Sequence, residues 1–87
     1  EPFSALDART RSQMQDLACD LLAGRTVLMV THDPAEAARM GETILIMASD
    51  RLTPVTPPPG APPRAIDDPA TLTAQAALLT RLRDSAA

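Results

Sequence analysis

The chain has 87 residues and one aromatic side chain, Phe3, so it is long enough for one small domain with a thin aliphatic core. Its net charge is −3, and its eight basic residues are scattered Arg that form no basic stripe, which argues against nucleic-acid binding. The one cysteine excludes an internal disulfide, and no apolar run approaches the roughly 20 residues that span a bilayer, so the composition is typical of a cytosolic protein.

The first predicted element is a helix from Asp7 to about Gly24. Asp7 is a suitable N-cap, and Gly24 supplies a left-handed stop. The apolar residues recur at three- and four-residue spacing, at Met14, Leu17, Ala18, Leu21 and Leu22. This spacing predicts an amphipathic helix.

A strand and a second helix are predicted next. In the stretch RTVLMVTH the apolar run from Val27 to Val30 is continuous, which favours a strand covered on both faces in a parallel sheet. Asp33 is a suitable N-cap for the following helix, with Pro34 at its first position and Gly41 at its end. The succession of helix, short loop and strand is half of an α/β crossover unit.

Two more strands are predicted after Gly41, a buried one in TILIMAS and a weaker one in RLTPV that closes a hairpin-like edge. Continuous apolar strands need neighbours on both sides, and so few strands would leave exposed edges. We therefore expect a neighbouring sheet upstream of Glu1.

The last third of the chain changes composition. Residues 57–64 include five Pro, which predicts an extended, polyproline-like connector. A terminal amphipathic helix begins at the pair Asp68 and Pro69. Its predicted apolar face consists of Leu72, Ala76, Leu79 and Leu82.

Two residues are candidates for chemistry. Glu1 could orient or deprotonate a water if it lies at the carboxyl end of a buried strand; the alternative is a solvated residue at a chain end. His32 precedes a capped helix start, a position suited to contact with phosphate; the alternative is a histidine held in a turn. No metal site is predicted, because no Cys or second His lies near the THD stretch at ligand spacing.

The stretches EPFSALD and TVLMVTHDPAEAARMGETILIM closely resemble the second half of an ATP-binding cassette (ABC) ATPase, in order and at the expected spacing, over residues 1 to about 48. The resemblance implies that Glu1 is the general base that polarises the attacking water. It implies that His32 is the switch residue that contacts the γ-phosphate. The D-loop, which crosses the dimer interface, would consist of Ser4, Ala5, Leu6 and Asp7.

The same resemblance implies an α/β fold, the C-terminal part of a P-loop NTPase domain, with parallel strands, flanking helices and a C-terminal helix. The expected division is an ATPase part at 1–52, a proline-rich linker at 53–67 and an amphipathic helix at 68–87. The implied cofactors are ATP and Mg²⁺. The implied partners are a second ATPase subunit and membrane permease subunits, on the cytoplasmic face of the cell membrane.

Several family motifs have no counterpart in these 87 residues. There is no GxxxxGK[ST] loop and no Lys, and the signature motif and the Walker B Asp are missing too. The chain is therefore expected to be the C-terminal portion of an import-type ATP-binding subunit, inactive by itself. Its tail resembles the nitrate, sulfonate, taurine and hydroxymethylpyrimidine importer group; the alternative for the tail is a helix that packs on the ATPase core and has no link to substrate. The alternative is a non-catalytic remnant or a small α/β interaction module.

Overall fold

The computed structural model describes residue 3, residues 5–48 and residues 50–86, without the side chains of 85 and 86. The described part contains helices α1 (Ala8–Leu21), α2 (Pro34–Met40) and α3 (Pro69–Ala86), and strands β1 (Ile44–Ala48) and β2 (Arg51–Val55). The chain divides into two compact units, Glu1–His32 and Asp33–Ala87.

Helix α1 begins where the sequence predicts. The Oδ1 atom of Asp7 accepts a hydrogen bond from the backbone N–H of Thr10 at 2.8 Å, which confirms Asp7 as the N-cap. The helix ends at Leu21, with Leu22 as its C-cap. Gly24 has the predicted positive φ, +79°, but lies beyond the cap, in the turn that leaves the helix.

The apolar face predicted for α1 is mostly exposed. Met14, Leu17, Leu21 and Leu22 all expose more than a third of their surface, whereas the buried residue of the helix is Gln15. Within the described part of this unit, no second helix or strand is present to cover the apolar face. The spacing of apolar residues predicted the helix correctly, but it does not indicate which element packs against the apolar face.

The strand predicted at Val27–Val30 does not form. Residues 26–31 have no regular secondary structure, and Leu28 is 89% exposed. A strand is stabilised by hydrogen bonds to a neighbour, and the described residues of this unit contain no other strand. The prediction of a strand here is wrong for the structure of this chain, and the physical reason is the missing neighbour.

The second unit contains an antiparallel hairpin of β1 and β2, with Ile44 opposite Val55 and Ala48 opposite Arg51. Both predicted strands and the predicted hairpin-like edge are confirmed, whereas the parallel strands that the family resemblance implied are wrong for the described residues. The link between the strands is short, and parallel neighbours need a crossover of a dozen residues or more. The sheet is also buried on one face only, because Ile44 and Ile46 are buried while Leu45 and Met47 are exposed.

Helix α2 has the bounds that its caps predict. Asp33 accepts a hydrogen bond from the Ala35 N–H at 2.9 Å, and Pro34 occupies the first turn. Gly41 follows the helix in an extended conformation rather than a left-handed one. A Cβ atom at Gly41 would lie 2.7 Å from the Ile44 side chain, so the helix end requires glycine for lack of space.

The core of this unit lies where α2, α3 and β1 meet. It consists of Ala38, Ile44, Ile46 and Leu78, with Ala37, Val55, Ala74 and Leu82 packed against it. Small side chains on α2 and α3 allow the two helices to approach closely. The volume of this core is modest, and the hairpin depends on it for cover on its buried face.

The buried face of α3 differs from the predicted one. The buried residues of α3 are Leu78, which is 3% exposed, and Thr71. Three residues of the predicted apolar face, Leu72, Ala76 and Leu79, are exposed. The fourth, Leu82, packs against the core as predicted. The close approach of α2 selects the side of α3 that carries Ala74, and hydrophobicity alone does not mark that side. The observed buried face is therefore shifted by about one residue around the helix from the predicted one.

The start of α3 is the predicted one. The carboxylate of Asp68 accepts hydrogen bonds from the Thr71 hydroxyl at 2.7 Å and from the Thr71 N–H at 2.9 Å. These bonds, the hydroxyl first, hold the pKa of Asp68 below its ordinary value of 3.8. None of the described helices combines the length and apolar character needed to cross a membrane.

Adjacent leucines on α3 provide a matched test of the packing. Leu78→Ala is expected to lower the free energy of unfolding by about 3 kcal/mol, because it removes a buried side chain and leaves a cavity. Leu79→Ala deletes the same atoms from an exposed site and is expected to change it by less than about 1 kcal/mol. Urea denaturation of both variants measures the difference, and a larger loss at Leu79 would contradict the observed face.

The N-cap of α1 gives a pH prediction. The pKa of Asp7 is lowered, first by the hydrogen bond from the Thr10 N–H, so its contribution to stability is present above pH 3.8 and is lost as the pH falls through the lowered value. The amide proton of Thr10 should therefore titrate in NMR spectra with a midpoint below 3.8. The variant Asp7→Asn keeps the cap and should show no such titration. A midpoint at or above 3.8 in the original chain would refute the cap.

Candidate functional site

The described part of the predicted D-loop is a turn that leads directly into α1. The Leu6 N–H donates to the Phe3 carbonyl at 3.2 Å, which closes the turn, and both Ala5 and Asp7 are exposed. Glu1 and Ser4 lie outside the described residues. The three described members of the predicted loop thus form one short exposed segment.

Arg11 holds this turn against the first turn of α1. Its Nε atom donates to the Phe3 carbonyl at 3.2 Å, and its Nη2 atom donates to the Leu6 carbonyl. Hydrogen bonds from a charged donor are stronger than neutral ones. Sequence reasoning missed this residue, although a cation one helical turn after the N-cap Asp7 could have indicated it.

Asp7 is fixed by the same local structure. Its carboxylate accepts from Thr10, and the nearby Arg11 charge also helps to lower its pKa, although less than the hydrogen bonds do. Asp7 is therefore ionised and oriented near neutral pH while it remains exposed to solvent. An exposed, pre-oriented carboxylate in a constrained turn can take part in a contact with another molecule.

His32 is exposed and ends the irregular segment that follows α1. The next residue is Asp33, the N-cap of α2. The Asp33 side chain already accepts the Ala35 N–H, so one of the donors that a bound phosphate would use is occupied within the protein. The prediction of phosphate contact therefore depends on the His32 imidazole more than on the helix terminus.

A second arginine site lies at the other end of α2. The Nη1 atom of Arg64 donates to the carbonyls of Ala38 at 3.0 Å and Gly41 at 2.8 Å. The backbone of Arg64 also pairs with Arg39: its N–H donates to the Arg39 carbonyl at 3.0 Å, and its carbonyl accepts from Arg39 Nε at 2.8 Å. Four hydrogen bonds thus join the proline-rich segment to the C-terminal end of α2.

Arg64 is 6% exposed, which is unusual for a charged side chain. Burial lowers the pKa of its guanidinium, and the charges of Asp68 and Glu42 act in the opposite direction. Its Nε also donates to the Pro59 carbonyl at 3.4 Å. Sequence reasoning missed this role; the one available signal was a lone charge within a run of proline.

The described residues include one of the two predicted catalytic residues and no cluster of candidate metal ligands. The chain has no Lys, and the described residues contain no group of three or more His, Cys, Asp or Glu placed to hold a metal ion. Of the predicted catalytic pair, only His32 is described.

Comparison with known proteins finds close relatives. The chain is 45% identical over 87 residues to an uncharacterized ABC transporter ATP-binding protein of Haemophilus influenzae, covering 94% of this chain and 36% of that protein. It is 43% identical to an aliphatic sulfonates import ATP-binding protein of Nocardia farcinica, and the match covers 94% of this chain and 34% of that protein. Another aliphatic sulfonates import ATP-binding protein, from Pseudomonas syringae pv. syringae, is 39% identical, and the match covers 98% of this chain and 38% of that protein.

The chain spans a little over a third of the length of these relatives. No protein-family model and no solved structure matches it. The similarity covers nearly the whole chain and so extends beyond residues 1–48, where the family motifs lie, into the proline-rich segment and α3. Over nearly all of its length the chain is therefore homologous to part of the ABC transporter ATP-binding proteins.

Proposed function

We propose that this chain is the C-terminal portion of the ATP-binding subunit of an ABC importer, and that the longer protein couples ATP hydrolysis to solute uptake. The observation that carries the proposal is the similarity to ABC transporter ATP-binding proteins across 94% of the chain. The word "import" in the names of two of these relatives supports the direction of transport.

In this proposal, Glu1 and His32 act on the reacting groups. Glu1 orients and polarises the water that attacks the γ-phosphate, and His32 donates a hydrogen bond to a γ-phosphate oxygen. Phosphoryl transfer to water needs an oriented nucleophile and stabilised phosphate charge rather than a covalent intermediate. The exposure of His32 supports its role, because the side chain is accessible to a ligand.

The predicted D-loop contacts a second ATPase subunit in this proposal. Ser4, Ala5, Leu6 and Asp7 form that contact, and Arg11 keeps the loop in shape through the carbonyls of Phe3 and Leu6. Two features support the assignment: Ala5 and Asp7 are exposed, and the turn is constrained before any partner binds. A constrained loop loses less conformational entropy on association than a flexible one.

ATP and Mg²⁺ bind mainly to the portion of the longer protein that these 87 residues do not include. The absence of a phosphate-binding loop and of any Lys in the chain supports this assignment. The subunit works on the cytoplasmic side of the membrane, against permease subunits. The proposed solutes are aliphatic sulfonates, because two relatives are named as aliphatic sulfonates import proteins.

Amide and alanine variants of the longer protein test the catalytic pair. Glu1→Gln should abolish ATP turnover while ATP-bound dimers still form, because the amide cannot accept the proton of the attacking water. His32→Ala should lower the turnover number by about 100-fold or more, since a donor to the transferred phosphate is lost. Phosphate release and size-exclusion chromatography measure these two properties.

Asp84→Asn is the matched control for Glu1→Gln, because Asp84 is an exposed carboxylate on α3 far along the chain from the motifs. It should retain the original rate. A near-normal rate in Glu1→Gln would exclude Glu1 as the base, and an unchanged rate in His32→Ala would leave His32 with a structural role. No hydrolysis by the longer protein under any condition would favour a non-catalytic interaction module.

The 87-residue chain alone should show no thermal shift with Mg-ATP. Ligand binding raises the midpoint of unfolding in proportion to affinity, and this portion lacks the loop that holds the phosphates. Differential scanning fluorimetry with and without millimolar Mg-ATP measures the shift, with Mg²⁺ alone as the control. A clear shift that depends on ATP would contradict the assignment of nucleotide binding to the rest of the protein.

A further inference from the structure

We propose that Arg64 is a positioning residue for His32: by holding the C-terminal end of α2, it fixes the helix whose N-cap, Asp33, follows His32 directly in the chain. The inference rests on the proposed function, because it concerns the rate of the step that His32 assists. It assigns to the proline-rich segment a part in catalysis that neither the motifs nor the comparisons indicate.

Helix α2 is too short to be stable by itself. It has seven residues, whereas isolated helices below about 12–15 residues are marginal in water. It persists because Asp33 caps its first turn, Ala38 packs in the core, and Arg64 binds its last turn. Of these three supports, Arg64 alone comes from the segment that links β2 to α3.

The contact at the last turn suits a cation. The last carbonyls of a helix have no partner within it and carry the negative end of its dipole. Arg64 Nη1 donates to two carbonyl oxygens there, those of Ala38 and Gly41, and the backbone of Arg64 pairs reciprocally with Arg39. These hydrogen bonds therefore connect the proline-rich segment to the end of α2 across 23 to 26 positions of the chain.

Burial makes this arrangement sensitive to substitution. A buried arginine is favourable only where its hydrogen bonds are made, and removing its side chain leaves the carbonyls of Ala38 and Gly41 without this donor. Loss of Arg64 is thus expected to release the last turn of α2. A seven-residue helix has about two turns, so the released turn borders directly on the turn that Asp33 caps.

His32 is joined to that helix by one peptide bond to Asp33. A displacement of Asp33 moves the backbone that sets the direction of the imidazole. Misplacing a group that acts on the reacting atoms by about 1 Å can cost on the order of 100-fold in rate. Substrate affinity depends mostly on the phosphate-binding loop and should change little.

The test compares Arg64→Ala and Arg64→Lys with Arg81→Ala in the longer protein. Arg81 is an exposed arginine of α3 and serves as the matched control. We expect Arg64→Ala to lower kcat about 10-fold or more with KM for ATP changed less than about 2-fold. The kcat of Arg64→Lys should lie between those of Arg64→Ala and the original protein, since a lysine keeps the charge but lacks the forked donors. Arg81→Ala should match the original protein.

Hydrogen–deuterium exchange of the peptide that covers residues 30–41 is measured on the same proteins. We expect faster exchange in Arg64→Ala and no change in Arg81→Ala, because few amides of α2 remain protected once its last turn is released. This readout does not need ATP hydrolysis, so it tests the inference even if the proposed function fails. If Arg64→Ala does not fold, the comparison of Arg64→Lys with Arg81→Ala replaces it.

Unchanged exchange, or an unchanged kcat in a protein that hydrolyses ATP, would overturn the inference. A fall in thermal stability with kcat per folded molecule preserved would also overturn it, since that result describes a structural role alone. Loss of activity in His32→Ala with full activity in Arg64→Ala would leave the proposed function intact and reject the role of Arg64. The two proposals can therefore fail separately.

Discussion

The contact of Arg64 with the end of α2 is the interaction on which the second unit depends. A seven-residue helix has little stability of its own, yet α2 carries Ala38, a member of the core that joins α3 and β1. Arg64 supplies donors to the last turn, and the Pro residues around it restrict the backbone that delivers it. The proline-rich segment is thereby held to α2 by direct hydrogen bonds, with Arg64 as its attachment point.

The first unit shows the opposite condition, in which apolar surface lacks cover. Most of the apolar face of α1 and the segment 26–31 are exposed in the described structure. Burying apolar surface contributes about 25 cal/mol per Å², so both features would gain stability from a neighbouring layer. In the longer protein that we propose, residues beyond this chain provide that layer. The relatives are almost three times as long as the matched region, which leaves ample chain for it.

Local signals in the sequence predicted the helix starts well. Asp7, Asp33 and Asp68 all cap helices, because an N-cap depends on residues within one turn. Long-range features were harder: the face of α3 depends on which side α2 approaches, and the strand at Val27–Val30 needs a neighbour. Arg11 and Arg64 bind carbonyl oxygens, which leave no periodic pattern. Of the candidate site, the turn with Asp7 and the exposure of His32 are described, and both the interface role of Asp7 and the catalytic role of His32 stay predictions.

The central claim is that His32 acts on the γ-phosphate in an ABC ATPase, and a structure tests it most directly. The longer protein carrying Glu1→Gln should be crystallised with ATP and Mg²⁺, since this substitution is expected to trap the state before hydrolysis. We predict a dimer in which an imidazole nitrogen of His32 lies about 3 Å from a γ-phosphate oxygen, at hydrogen-bond distance. An ordered, ATP-bound dimer in which His32 points away from the nucleotide would contradict the account.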